Sequence, residues 1–294
     1  MRARLARSSR VKGVVLVGAG VVLLSPDALW VRLLAMDYWT VLFWRGVCTS
    51  IGYLVLARVM SARTATGPQR SVRSRVMIGA LSVAGNVCFV GAVTHTTAAQ
   101  TLVILASSPL LAALLTAGLG LERIDRRTWI SAAIVVPCIA AIVVRPGAAS
   151  LSAGDVFAMV GAVALAALLV VIRHSGTADV VPSLAFGGAL TAVVAAPFAS
   201  VLALSASDML VLVFGFGITL PLSLGLITRG PRYLAAPEVG LILLLETVLG
   251  PLLVWLALGE QPTARVALAG LVIVVTLALV SLASLRAERL PATE

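Results

Sequence analysis

The chain of 294 residues is 60% hydrophobic and only 12% charged, about half the charged fraction of a soluble domain. This composition, with a mean hydropathy of +1.09, excludes a soluble globular protein and indicates a polytopic membrane protein. The net charge of +10 does not indicate nucleic-acid binding, because the arginines flank apolar segments and do not alternate with aromatic residues on one face.

The apolar residues fall into ten segments of about 20 residues, which is the length that crosses a bilayer as a helix. We predict spans at residues 12–34, 38–59, 76–93, 97–119, 128–144, 154–172, 182–204, 208–228, 233–258 and 264–285. The basic N-terminus resembles a signal peptide, but no small-x-small cleavage pattern follows it. The first apolar segment is therefore predicted to be a transmembrane helix.

The basic residues predict the orientation. Of the 22 Lys and Arg residues, 18 lie on the side of the spans that holds the N-terminus, and only Arg145 and Arg265 lie on the other. Because cytoplasmic loops are rich in Lys and Arg, we expect both termini to be cytoplasmic. The expected location is a bacterial-type cytoplasmic (inner) membrane.

Two parts of the chain share one polar layout at an offset of 138 residues. Gln100 aligns with Glu238, Ser108 with Glu246, and Glu122 with Glu260. An internal repeat is the simplest interpretation. Since the offset contains five predicted spans, the second copy would be inserted upside down. We therefore predict two inverted five-helix repeats, residues 1–145 and 146–294, around a central cavity where a substrate binds near the midplane.

Polar residues inside the spans are the candidates for that binding site: Glu246, Asn86, Gln100, Ser108 and Ser82. A carboxyl group at mid-membrane costs free energy, which favours a role for Glu246 in binding a substrate amine or a proton. The alternatives are a structural carboxyl group, hydrogen bonding between helices by the serines and amides, and close helix packing at Ser82.

Charged residues nearer the ends of the spans are candidates for a gate or an ion pair. Asp27 and Arg45 lie at the same predicted depth in the first two spans, so we expect them to pair, either structurally or as an outer gate. Glu238 lies near the inner end of the ninth span and is a candidate mouth residue.

The fourth and ninth spans close with SSPLLAALLTAGLGLER and LLETVLGPLLVWLALGEQP, and the second span contains FWRG at Phe43 to Gly46. With ten spans in two halves, these segments resemble the EamA-type branch of the drug/metabolite transporter superfamily, nearest to its amino-acid exporters of the aromatic amino acid type. Leu121 departs from the pattern, since glycine usually precedes the closing glutamate. The resemblance implies a central cavity and efflux of small metabolites.

Enzyme chemistry has no visible motif in this sequence. It has no GxxxxGK[ST] loop, HExxH or GxSxG, and Cys48, Cys88 and Cys138 lie in apolar segments without metal-ligand spacing, so neither a metal nor another cofactor is expected.

The leading hypothesis is a secondary transporter that exports amino-acid-like metabolites by alternating access, with membrane lipids around it, as a monomer or a dimer. A proton-coupled exporter of cationic drugs and a non-transporting membrane scaffold or enzyme subunit are the alternatives.

Overall fold

The computed structural model describes residues 2–61, 71–121, 126–144, 151–174, 180–200, 204–230, 233–234 and 236–289. Those residues form helices and connecting turns without any β-strand. The helices are α1 (Arg2–Leu24), α2 (Asp27–Leu33), α3 (Tyr38–Ser61), α4 (Val72–His95), α5 (Ala98–Leu105), α6 (Ser108–Gly118), α7 (Arg126–Val143), α8 (Ala153–His174), α9 (Val181–Ala195), α10 (Ala206–Val211), α11 (Leu220–Ile227), α12 (Ala236–Leu243), α13 (Glu246–Leu258) and α14 (Ala264–Arg289). A 3₁₀ turn (Ala196–Phe198) follows α9, and a π-helical segment (Leu212–Thr219) joins α10 to α11.

In the described part of the chain, nine helical segments are long and apolar enough to cross a membrane. They are Val11–Leu33, Tyr38–Val59, Val72–His95, Ala98–Gly118, Ala153–His174, Val181–Phe198, Ala206–Ile227, Glu238–Leu258 and Ala264–Ala283. Each coincides with a predicted span. The predicted fifth span coincides with a shorter apolar helix, Thr128–Val143. The polytopic all-helical class is therefore confirmed, whereas the total of ten spans stays a prediction.

Three of the spans are broken near their middle. The first changes from α1 to α2 at Ser25 and Pro26, the fourth from α5 to α6 at Ala106 and Ser107, and the ninth from α12 to α13 between Leu243 and Glu246. Proline at the first break lacks the backbone N–H that a continuous helix needs. The other two breaks are tightened turns with i→i−3 hydrogen bonds, such as Ser107 N–H to the Ile104 carbonyl at 3.1 Å.

The breaks repeat the sequence offset. Helices α5 and α12 each have eight residues, and both start and end 138 positions apart. The second halves, α6 and α13, also begin 138 positions apart. These two segments therefore share a local backbone design, while the two inverted repeats stay a prediction. Glu122, the repeat partner of Glu260, lies outside the described residues.

The first, fourth and ninth spans meet close to their breaks. A Cβ atom added to Gly250 in α13 would lie 2.4 Å from the Leu102 side chain in α5 and 3.3 Å from the carbonyl oxygen of Ser25. A methyl group at this position would therefore require the end of the Leu102 side chain to move. We call the end of the bundle that holds Leu33, Ala98 and Leu258 the outer end, following the predicted orientation.

Candidate functional site

The centre of the candidate site is a buried ion pair between α2 and α3. The guanidinium of Arg45 donates two hydrogen bonds to Asp27, from Nη1 to Oδ1 at 2.6 Å and from Nη2 to Oδ2 at 2.8 Å. Both residues are buried. The two residues that were expected to pair are thus in contact, while their role as a gate or as a structural pair stays a prediction. The bidentate geometry offsets much of the cost of taking two charges out of water.

The break in the first span explains the position of Asp27. Pro26 ends the first half of the span, and Asp27 begins α2. A carboxylate in the first turn of a helix is stabilised by the unpaired backbone N–H groups there. The break therefore interrupts the helix and leaves backbone N–H groups that stabilise the negative charge of Asp27.

Arg45 is held on its other sides by α4 and the π-helical segment. Its Nε donates a hydrogen bond to Asn86 Oδ1 at 3.3 Å. The guanidinium carbon lies 5.1 Å from the centre of the Phe89 ring and 4.6 Å from that of Phe216, which are cation–π distances. Asn86 in turn donates to Thr191 Oγ1 in α9 at 3.5 Å. The cluster, including Asp27, thus joins the first, second, third, seventh and eighth spans.

Glu246 lies beside this cluster at the start of α13. Its side chain is partly buried, and no described residue makes a hydrogen bond or an ion pair with it. Its carboxyl group is close enough to Asp27 for their charges to interact unfavourably. The cluster therefore has two carboxyl groups for the single guanidinium of Arg45, and that guanidinium is already bonded to Asp27.

Gln100 makes a different contact. Its Nε2 donates a hydrogen bond to Oδ1 of Asp155, a fully buried residue in the first turn of α8. Sequence reasoning missed Asp155, because an aspartate after Ser152 at the start of a span has the pattern of a helix cap. The Asp155 N–H does donate to Ser152 Oγ at 3.2 Å. The one signal in the sequence was a carboxyl group at the second position of the predicted span 154–172.

The remaining predicted residues are more scattered. The Ser82 hydroxyl donates to the Ile78 carbonyl of its own helix at 2.7 Å, and its Cβ would be 2.6 Å from a Cβ added to Gly187, which agrees with the packing alternative. Ser108 is buried at the start of α6. Glu238 lies in the first turn of α12. The roles of all three stay predictions.

A second polar cluster joins the outer ends of three spans. Nη2 of Arg32 lies 3.2 Å from Glu260 Oε2 and donates to the Thr96 carbonyl at 2.6 Å. The backbone N–H of Ala98 donates to Glu260 Oε1 at 2.7 Å. Sequence reasoning placed Arg32 within the first span and used Glu260 only as the end of the repeat.

A cavity of about 430 Å³ lies between α3 and the segment formed by the π-helix and α11. Its lining is apolar and includes Gly52, Gly217 and Pro221, and none of the predicted site residues lines it. It is therefore distinct from the predicted central cavity, which stays a prediction. The described residues contain no group of three metal-ligating side chains.

Comparison with known proteins finds a matching family model and similar solved structures. Residues 11–144 match the sequence model of the EamA-like transporter family. A solved structure titled "Crystal structure of protein" is similar to the chain, with a TM-score of 0.64 and 19% sequence identity over 95% of this chain and 99% of that chain. At this identity the likeness shows a shared fold alone. No curated protein matches the chain.

Proposed function

We propose that the protein is a secondary transporter that exports small zwitterionic metabolites, amino acids foremost, across the cytoplasmic membrane. The EamA-like match over residues 11–144 supports the transporter class. The observation that carries the proposal is the cluster of Asp27, Arg45 and Asn86 with Glu246, because charged groups within spans are costly and usually mark a transport pathway.

The charges in the cluster fit a zwitterion. Arg45 offers a planar pair of donors to a carboxylate, and Glu246 offers an acceptor to an ammonium group. An amino acid has both a carboxylate and an ammonium group, and the site has a group of opposite charge for each. Its carboxylate would compete with Asp27 for Arg45, and Asp27 would then also face the ammonium group. Asn86 would supply a neutral hydrogen bond.

The broken spans support movement around this cluster. Discontinuous helices in the middle of a membrane place free backbone groups and helix ends at a transport site. Here Asp27 and Glu246 each begin the second half of a broken span. In the proposed cycle the two five-helix halves rock against each other and open the cluster to one side at a time, and Gln100 and Ser108 contribute hydrogen bonds to the substrate.

One observation favours a second candidate, a proton-coupled exporter of cationic compounds. The guanidinium of Arg45 is bonded to Asp27 and not to Glu246, so the cluster has an uncompensated negative charge when Glu246 is ionised. A cation or a proton would neutralise it. A non-transporting scaffold does not account for that arrangement.

Counterflow in proteoliposomes separates the candidates. Purified protein is reconstituted, loaded with unlabelled amino acids and given labelled ones outside, with and without a pH gradient. Saturable exchange of an amino acid that is independent of the gradient supports the proposal. If no amino acid is exchanged and the pH gradient drives accumulation of a cationic dye, the amino-acid proposal is wrong and the second candidate is supported.

A further inference from the structure

The outer ends of the first, fourth and ninth spans are joined by one carboxylate. Glu260 accepts a hydrogen bond from the Ala98 N–H through Oε1, and its Oε2 lies 3.2 Å from Nη2 of Arg32. Arg32 also donates to the carbonyl of Thr96, just before α5. All these contacts are between different spans, so none of them stabilises a single helix.

The chain positions Glu260 by a left-handed turn. Helix α13 ends at Leu258, and Gly259 follows with φ of 72°, a conformation that glycine adopts without strain. The turn carries the next residue across to the start of α5. There the first N–H groups of the helix have no partner within the helix, so a carboxylate is bound by both the N–H group and the local dipole.

An apolar layer lies beneath this contact. Its members are buried side chains of α2, α5 and α13 that belong to one cluster: Val31, Ala98, Leu102 and Val254. Asp27 lies four residues before Val31, on the same side of α2. Val31 and its neighbours therefore lie between Asp27 and the outer end of α2, where Arg32 and Glu260 meet.

We propose that Arg32, Glu260 and the start of α5 form an outer latch, which holds the outer exit closed and must break before the site opens outward. This inference rests on the proposed alternating-access function. The side chains of Arg32 and Glu260 are 27% and 23% exposed, so water can compete for the contact. A contact of that kind can open and close repeatedly.

The latch can be tested without knowledge of the substrate. The three native cysteines are replaced by alanine, and Ser25→Cys supplies a reporter thiol at the buried break beside Asp27. A membrane-impermeant thiol reagent is then applied from the outer side of oriented proteoliposomes, and the labelling rate is measured. Because labelling requires outward opening, the rate reports the fraction of time for which the latch is open.

Glu260→Gln and Arg32→Gln should each raise the labelling rate about five- to tenfold, since each removes a charge-assisted contact. The double variant should give no further increase, because both residues act in one contact. Asp208→Asn is the matched control. Asp208 also caps a helix at the same end, α10, but its partner is Ser205 of the same segment, so its removal should leave the rate unchanged.

A second measurement tests the latch if Glu260→Gln or Arg32→Gln fails to fold. Arg32→Cys/Glu260→Cys is treated with a short, reducible bifunctional thiol reagent, which should suppress labelling of a reporter placed below the latch, and reduction should restore it. In this experiment the reporter reagent is applied after the cross-linker. Labelling at the untreated rate after cross-linking, or an equal increase in Asp208→Asn and Glu260→Gln, would overturn the latch. Altered labelling in a protein that moves no amino acid would instead retain the latch and refute the proposed substrate.

Discussion

Ser108 and Glu246 occupy the same place in two broken spans: each is the first residue of the second half-helix, and the two residues are 138 positions apart. One copy thus has a hydroxyl group where the other has a carboxyl group. The proposed site is therefore asymmetric, since only the second copy brings a charge to Asp27 and Arg45. This asymmetry leads to specific expectations for substitutions within the cluster and around it.

The Asp27–Arg45 pair should be essential to the folded state. Asp27→Asn leaves the buried guanidinium without its counterion, so we expect the free energy of unfolding to fall by about 3–5 kcal/mol. Chemical denaturation in detergent measures this change. Asp27→Asn/Arg45→Gln should recover part of the loss, because neither charge remains. The ion-pair interpretation would be contradicted if the double variant lost more unfolding free energy than the two single variants together.

The contact between α3 and the π-helical segment should not tolerate a methyl group. A Cβ atom at Gly52 would lie 2.2 Å from the carbonyl oxygen of Gly217, so Gly52→Ala should destabilise the protein by about 1–3 kcal/mol. Gly85→Ala is the control, because no atom lies within 4 Å of a Cβ atom at Gly85. Thermal unfolding of both variants checks the difference, and equal midpoints would show that the segment moves aside.

The outer loop before α3 should respond to acid. Asp37 accepts hydrogen bonds from the hydroxyl and the N–H of Thr40, at 2.7 and 3.1 Å. The hydroxyl contact is the main cause that lowers the pKa of the Asp37 carboxyl below its usual value. Because the pKa is lower in the folded state, the stabilisation is complete above the usual aspartate range and is lost as the pH falls through the lowered value.

Asp37→Ala should therefore reduce stability by about 1 kcal/mol near neutral pH, as for other helix caps, and by less in acid. Asp37→Asn retains a capping oxygen and should remove most of the pH dependence at this position. Unfolding midpoints measured between acid and neutral pH distinguish the two variants. A constant difference between Asp37→Ala and wild type across that range would contradict the assigned cap.

The parts of the fold that depend on local sequence could be predicted. Apolar length determined the positions of the spans, and equal depth in adjacent spans was enough to predict the contact between Asp27 and Arg45. The same offset that aligned Ser108 with Glu246 also matches the ends of α5 and α12. These features follow from hydropathy, from helix geometry and from the cost of an unpaired charge.

Contacts between distant spans could not be predicted in this way. Asp155 and Gln100 meet because α8 packs on α5, and Arg32 meets Glu260 because three spans converge at the outer end. These partners depend on how each helix is rotated about its own axis, and a single sequence does not give that rotation. Gln100 was accordingly predicted to contact the substrate, and its hydrogen bond to Asp155 was not foreseen.

Counterflow by Glu246→Gln tests the central claim most directly. Wild type, Glu246→Gln and the control Asp208→Asn are reconstituted at equal amounts of folded protein, and exchange of labelled amino acids is measured. We expect saturable exchange in wild type and in the control, and its loss in Glu246→Gln with an unchanged unfolding midpoint, because the variant lacks the charge that binds the substrate ammonium group. Exchange by Glu246→Gln at the wild-type rate would contradict the assignment of Glu246 to the transport site.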